Sequence, residues 1–159
     1  MKIWIISIIS LVLYSFILPE ISLAYDDNLS SEDITALRAN AQKGDPEAQF
    51  NLAEAYLKGD GVRQSEREAA RWYYKSAMQG YVEAQVAMGF AYRGGGGLPM
   101  DKVLSYMWFD LAAKNGDDRA FSLRNDVAWS MTESEIDEAR RKSREWRPEF
   151  SRIHTTNSD

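Results

Sequence analysis

The chain of 159 residues contains no cysteine and a single histidine, His154. Without cysteine it cannot form a disulfide framework or a thiolate metal site, and one histidine cannot complete a metal site with others of its kind. A catalytic triad would have to use His154, which lies in a segment that we expect to be disordered, so nothing fixes it beside a nucleophile. We therefore expect a protein that is not an enzyme and that needs no metal or other cofactor.

Basic residues are also fewer than acidic ones. The chain has 19 lysines and arginines against 24 aspartates and glutamates, which gives a net charge of −5 at pH 7. General nucleic-acid binders are usually basic, so we expect no nucleic-acid partner. The glycine run at residues 94–97 is not followed by the Lys-Ser/Thr pair of a phosphate-binding loop, and we interpret it as a turn.

Long hydrophobic runs are absent except at the N-terminus. Residues 3–18 are almost entirely apolar, they follow Lys2, and small residues stand at Ser22 and Ala24. This layout predicts a signal peptide over residues 1–24, cleaved after Ala24, and hence a periplasmic or secreted protein without a stable membrane span. The alternative is an uncleaved membrane anchor, although the apolar run is shorter than the ~20 residues that cross a bilayer.

The chain does contain an internal repeat. Residues 44–79 align without a gap on residues 80–115, which sets the period at 36 residues, and a weaker third copy opens at Gly116 and Ala120. The identities are Gly44, Glu47, Ala48, Gln49, Ala55, Tyr56, Gly59, Gly61, Trp72 and Ala77 with their equivalents 36 residues later. A fixed period of this size is typical of helical solenoids, which present a surface to other molecules rather than a pocket that transforms one.

Each copy is predicted to form two helices, A and B, joined by a short turn. In the first copy Asp45 and Pro46 mark the start of helix A, and Ser65 caps helix B. Gly59 and Gly61 between them favour a tight turn with positive φ. Such hairpins must stack to bury their apolar faces, so the predicted fold is all-α: a right-handed α-solenoid of stacked helix-turn-helix repeats with a leading and a trailing cap helix.

The chain divides accordingly into six predicted segments. They are a signal peptide (1–24), a flexible start with the cap helix (25–43), repeat 1 (44–79), repeat 2 (80–115), a degenerate repeat 3 with the C-terminal cap (116–147), and a disordered tail (148–159). The final helix carries the basic residues Arg140, Arg141, Lys142, Arg144 and Arg147. We interpret them as complementing the helix dipole, with binding to anionic lipid or an acidic partner as the alternative.

The residues of the repeat follow a known pattern. The first copy reads Ala48-Gln49-x-x-Leu52-Ala53-x-x-Tyr56-x-x-Gly59-x-Gly61-Val62, then Ala69-x-x-Trp72-Tyr73-x-x-x-Ala77-x-x-Gly80. This closely resembles the Sel-one-like repeat, a subclass of the tetratricopeptide superfamily, and residues 84–116 fit it as well. The resemblance, to small secreted bacterial members above all, implies a curved stack whose helix A side chains line a concave groove. It also implies an adaptor or regulator in envelope assembly, cell-wall enzyme control or signalling.

The groove-facing residues follow from the predicted burial of the other helix faces. If Leu52 and Tyr56 pack inward, helical geometry turns a second set of side chains toward the groove. That set comprises Phe50, Asn51, Glu54 and Leu57 in the first copy and Val86, Ala87, Phe90 and Arg93 in the second. Exposed phenylalanines there suit an apolar peptide or a partner helix, and the alternative is that they pack against a neighbouring helix A.

We therefore expect an exported adaptor that binds another protein or peptide through this groove and regulates an envelope or signalling complex. The alternative is a cell-wall-associated or carbohydrate-binding factor without catalysis, in which Trp72 and Trp108 would be stacking platforms. Their equivalence in the repeat favours core packing instead. A homo-oligomeric structural element is a third option, and the sequence leaves the oligomeric state open.

Overall fold

The computed structural model describes residues 29–146. Within this range the chain forms seven α-helices and no strand. They are α1 (Ser31–Lys43), α2 (Pro46–Lys58), α3 (Glu66–Met78), α4 (Val82–Gly94), α5 (Lys102–Lys114), α6 (Asp118–Ala128) and α7 (Glu133–Glu145). The predicted signal peptide at 1–24 and the predicted tail at 148–159 lie outside the described residues.

The helices start at residues that satisfy free backbone N–H groups. The N-caps are Ser30, Asp45, Ser65, Tyr81, Asp101, Asp117 and Thr132. All of these side chains except that of Tyr81 accept a hydrogen bond from the first turn of their helix, which removes the cost of an unpaired donor. Reciprocal capping boxes form between Ser30 and Asp33 and between Thr132 and Glu135.

The helices pack in succession as stacked hairpins. α2 pairs with α3 and α4 pairs with α5, while α3 contacts α4 and α5 contacts α6 between the copies. One cluster of buried side chains joins the first two copies and consists of Ala53, Ala69, Tyr73, Ala77, Ala84, Met88, Met107, Trp108 and Leu111. The two hairpins therefore share a core, and neither buries its apolar face alone.

The leading helix α1 occupies the position that helix B holds in a full repeat. Gln49 of α2 donates from Nε2 to the carbonyl of Ala41 in α1 at 3.0 Å. Gln85 of α4 donates in the same way to the carbonyl of Ala77 in α3, at 3.4 Å. Because these donors and acceptors are each 36 residues apart, α1 meets α2 as α3 meets α4.

The third copy departs from the pattern in its connection. Residues 129–132 join α6 to α7, whereas residues 59–65 and 95–101 join the two helices of the earlier copies. With this shorter connection, α7 packs mainly on α5 rather than on α6. Ala139 of α7 is buried in one cluster with Phe109 of α5.

A buried ion cluster fastens α7 and α6 to α5. The side chain of Asp110 is 6% exposed and lies 2.6 Å from Lys114 Nζ and 2.8 Å from Arg124 Nη1. Ser143 Oγ of α7 donates to Asp110 Oδ2 at 2.6 Å. Burial disfavours the charged form of Asp110, but the hydrogen bonds from its three partners outweigh it and hold its pKa below the ordinary value.

Candidate partner-binding groove

A depression of about 340 Å³ lies between α2, the start of α3 and α4. Its large apolar side chains, Leu57 and Phe90, are 38% and 43% exposed. Small residues line much of the rest: Ala69, Ala70, Ala87, Ala91, Gly94 and Gly96. Because small residues between two larger ones leave depth, an apolar side chain of a partner can enter here.

A second depression of about 480 Å³ continues toward α1. Asn51 and Glu54 line it from α2, and Asp33 and Leu37 line it from α1. Glu54 also lines the first depression. The two depressions therefore share a wall, and together they form one surface along α1, α2, the start of α3 and α4 that we call the helix-A groove.

Glu54 carries a negative charge at the middle of the helix-A groove, and two neighbouring side chains fix the position of its carboxylate. It pairs with Lys58 Nζ at 2.7 Å, and the hydroxyl of Tyr73 donates to its carboxylate. Burial opposes ionisation of Glu54, but the hydrogen bonds from Lys58 and Tyr73 outweigh it, so its pKa lies below the ordinary value. Burial and the neighbouring carboxylate raise the pKa of Tyr73, so this hydroxyl stays protonated and donating at neutral pH.

Phe90 is fixed in place by its neighbours. Its ring meets Phe109 edge-on, with 5.2 Å between ring centroids, and the guanidinium of Arg93 lies 5.0 Å from the centroid of the Phe90 ring. A phenylalanine supported from beneath loses little freedom when a partner covers it. Arg93 adds a positive charge at the same border of the groove.

Two of the predicted groove residues have other surroundings. Phe50 is half-buried, with its ring centroid 5.6 Å from that of Tyr73 and 5.4 Å from that of Tyr81. Val86 is 9% exposed and packs in the cluster around Phe109. The structure thus brings together Asn51, Glu54, Leu57 and Phe90 with Arg93 beside them, and it turns Phe50 and Val86 to the packing between helices.

The tryptophans of the repeat lie in or beside the core. Trp108 is 2% exposed, and Trp72 is half-buried with Lys75 Nζ 3.9 Å from its ring centroid. Of the small groove residues, sequence reasoning singled out only Ala87, and it did not single out the hydroxyl of Tyr73. The available signal was the alternation of alanine and glycine with large residues on the outer face of helix A.

The basic residues of α7 make local ion pairs. Arg141 lies 3.2 Å from Glu145, and Lys142 lies 3.6 Å from Glu138. Between residues 29 and 146 no group of metal-ligating side chains is large enough to hold an ion, and no helix there has the length and apolarity of a membrane span. Arg147 and His154 lie outside the described residues.

Comparison with known proteins now places the chain in a family. Residues 46–81 and 82–117 each match the model of the Sel1 repeat, the Sel-one-like repeat of the sequence analysis. The crystal structure of a protective antigen of uropathogenic Escherichia coli, which displays an SLR fold, superposes with a TM-score of 0.70 at 32% identity and covers 81% of this chain and 29% of that one. The chain is a member of the Sel1-like repeat family. The predicted all-α solenoid is confirmed.

A second solved structure and three curated proteins share this likeness. The Sel1 repeat protein of Oxalobacter formigenes is 43% identical, with a TM-score of 0.53, over 54% of this chain and 66% of that one. The chitin synthase regulator SKT5 of Malassezia restricta is 37% identical over 55% of this chain and 6% of its own length, and that of Saccharomyces cerevisiae is 33% identical over 52% and 12%. Chitin synthase regulatory factor 3 of Schizosaccharomyces pombe is 31% identical over 62% and 11%. The chain thus spans about an eighth or less of these curated relatives.

The predicted location is wrong. We expected a periplasmic or secreted bacterial protein from the apolar N-terminal residues, but the curated relatives are fungal chitin synthase regulators, which are not periplasmic or secreted bacterial proteins. An apolar run after one lysine is a weak signal, because it carries no information about the folded domain that follows. The repeat is the more specific part of the sequence.

Proposed function

We propose that this Sel1-like repeat protein is a non-catalytic interaction module that binds a segment of a partner protein in the helix-A groove and thereby regulates that partner. The observation that carries the proposal is the exposure of Leu57 and Phe90 around a floor of small residues. The curated relatives are named as regulators of an enzyme, which supports regulation by binding as the role of such repeats.

The lining of the groove defines the chemistry of the bound segment. An apolar side chain fits the depression between Leu57 and Phe90, and the carboxylates of Glu54 and Glu66 border that depression. A lysine or arginine beside the apolar anchor would be attracted by these carboxylates and would gain specificity more than affinity. The groove is formed by helices that are already packed, so little ordering entropy is lost on binding.

The proposal is tested by site-specific crosslinking followed by affinity measurement. A photoreactive residue in place of the exposed Asn51 should crosslink in cells to a defined segment of a partner, which mass spectrometry identifies. A peptide of that segment is then titrated against the wild type and against Leu57→Ala/Phe90→Ala. We expect the dissociation constant to rise about tenfold or more, equivalent to ~1.4 kcal/mol, because two anchor contacts are lost.

The matched control is Phe121→Ala/Trp129→Ala. These side chains are 55% and 90% exposed on α6 and just after it, outside the helix-A groove. This variant should bind the peptide as the wild type does, and circular dichroism should show full helicity for both variants. Unchanged affinity of the Leu57→Ala/Phe90→Ala protein would contradict the proposal.

A further inference from the structure

The outer face of α3 is a second open surface. Two depressions, of about 720 and 780 Å³, lie along α3 and share Tyr74 and Lys75. Tyr74, where they meet, is 46% exposed. The α3 side chains that line them are Arg67, Ala70, Arg71, Tyr74, Lys75 and Met78, besides Glu68 and Gln79. The first six recur at the spacing of one helix face, and we call them the α3 seat.

The repeat relates the α3 seat to a face that is already covered. The equivalents of its residues on α5, 36 positions later, are Val103, Tyr106, Met107, Asp110, Leu111 and Lys114. Helix α7 lies on this face of α5. Arg140 of α7 donates to the hydroxyl of Tyr106 at 3.3 Å, and Ser143 bonds to Asp110 at 2.6 Å.

Burial shows the difference between the two faces. Asp110 under α7 is 4% exposed, whereas its equivalent Tyr74 is 46% exposed. In the described part of the chain the close helix neighbours of α3 are α2 and α4, so no helix lies on the α3 seat as α7 lies on α5. The seat runs along a helix of 13 residues, or about 20 Å, which matches a partner helix of three to four turns.

The charge of the α3 seat defines the partner. Arg67, Arg71 and Lys75 form a positive row along it, in a chain whose net charge is −5. The only ion pair of this row in the described residues joins Arg71 to Glu68 at 3.9 Å, and Arg71 remains 67% exposed, so the pair leaves Arg71 accessible. Glu68 is the one carboxylate among the residues that line the larger depression, so an acidic partner is favoured.

We propose that the α3 seat docks an amphipathic helix of a partner protein. The apolar stripe of that helix contacts Tyr74 and Met78, and its acidic flank pairs with Arg67 and Arg71. The exposed side chains of this site lie on a different surface from the helix-A groove, with which it shares only the buried Ala70, and the site takes the opposite charge. It therefore goes beyond the proposed function and stands or falls separately from it.

The test uses a designed probe, because the partner is unidentified. The probe is a fluorescent peptide of about four helical turns with leucines on one face and glutamates on both flanks. Fluorescence anisotropy with the full chain should show binding that weakens with added salt. Arg67→Glu/Arg71→Glu should raise the dissociation constant about tenfold or more and should bind instead a peptide with lysines in place of the glutamates.

Arg38→Glu/Arg63→Glu is the matched control, because it changes the net charge equally at exposed positions outside the α3 seat. It should bind the probe like the wild type, and a scrambled peptide of the same composition should bind neither protein. Three results would overturn the proposal: no binding of the probe to the wild type, equal loss in both variants, or equal binding of the scrambled peptide. A dimer in sedimentation that Arg67→Glu/Arg71→Glu dissolves would assign the seat to a second copy of this chain and overturn it as well.

Discussion

At the scale of single residues, Gly89 shows how closely the second copy is packed. A Cβ atom at this position would lie 2.5 Å from Cε1 of Phe109, whose side chain is 0% exposed. The first copy has Ala53 at the equivalent position, in one core cluster with Tyr73. The two copies therefore fill equivalent positions with side chains of different size. An alanine fits at position 53 beside Tyr73, but it does not fit at position 89 beside the closely packed Phe109.

We expect Gly89→Ala to lower the free energy of unfolding by about 1–2 kcal/mol. The overpacking cost of about 1–3 kcal/mol exceeds the gain in helix propensity, which is at most about 1 kcal/mol. Urea unfolding followed by circular dichroism measures the change. Gly94→Ala is the control: it lies at the end of α4 with no atom within 4 Å of the added methyl group, so it should leave stability unchanged or raise it slightly.

The same scale shows why the groove residues were only partly predictable. The sequence places Phe50 and Leu57 on the outer side of helix A, but each solenoid helix has neighbours on two sides. Phe50 packs between Tyr73 and Tyr81, while Leu57, nearer the turn, stays exposed. The choice depends on where the aromatic rings of the next helices lie, and helical periodicity carries no such information.

At the scale of helices, α1 is held by a contact that recurs between the copies. Gln49 is 5% exposed, donates to the Ala41 carbonyl and accepts from Gln79 Nε2 at 2.8 Å. Asn115 donates to Gln85 in the same way, at 2.9 Å. A buried amide with both ends bonded joins three successive helices, so each copy is tied to the helix before it.

We expect Gln49→Ala to loosen α1 while the later helices keep their protection. The substitution removes two hydrogen bonds, each worth about 0.5–1.5 kcal/mol, while the Ala41 carbonyl keeps the bond from the Gly44 N–H. The amides of α1 should therefore exchange with deuterium about tenfold faster. Hydrogen-exchange mass spectrometry gives the result per helix. The exposed Gln42 of α1 provides the control. If the α1 amides of Gln42→Ala exchanged as fast as those of Gln49→Ala, the hydrogen bonds of Gln49 would not be what holds α1.

The helix boundaries were predictable because they depend on local chemistry. Asp45 and Ser65 each precede an apolar helical pattern, and α2 and α3 begin directly after them, as the sequence analysis predicts. The placement of α7 was not predictable in this way. The placement of α7 depends on the short connection at residues 129–132 and on the hydrogen bond between Ser143 and Asp110. Asp110 gives no signal in the sequence, because it stands among the apolar residues of α5.

At the scale of the whole molecule, the cluster around Asp110 makes stability depend on pH. The pKa of Asp110 is lower in the folded protein than its ordinary value of 3.8. Its stabilising contribution is therefore complete above that value and is lost as the pH falls through the folded pKa. Protonation would weaken the attachment of α6 and α7 to α5 together.

Asp110→Asn should lower the free energy of unfolding at pH 7 by about 2 kcal/mol. Removing one partner of a fully buried pair costs about 3–5 kcal/mol, and the cost is smaller here because the Lys114 side chain is 51% exposed. The difference from the wild type should shrink as the pH is lowered below 3.8, which thermal unfolding at several pH values measures. Asp137→Asn, at a side chain 71% exposed, should change stability by less than about 0.5 kcal/mol. A constant difference at every pH would contradict this role of Asp110.

The short connection between α6 and α7 makes the two ends of the stack different. α7 packs on α5 and covers the face whose equivalent on α3 stays open. Between the two full copies, which repeat every 36 residues, a duplicated unit would make the same contacts with the copies on either side of it. Tandem duplication within residues 44–115 would therefore lengthen the stack and leave the contacts of α5 with α6 and α7 unchanged.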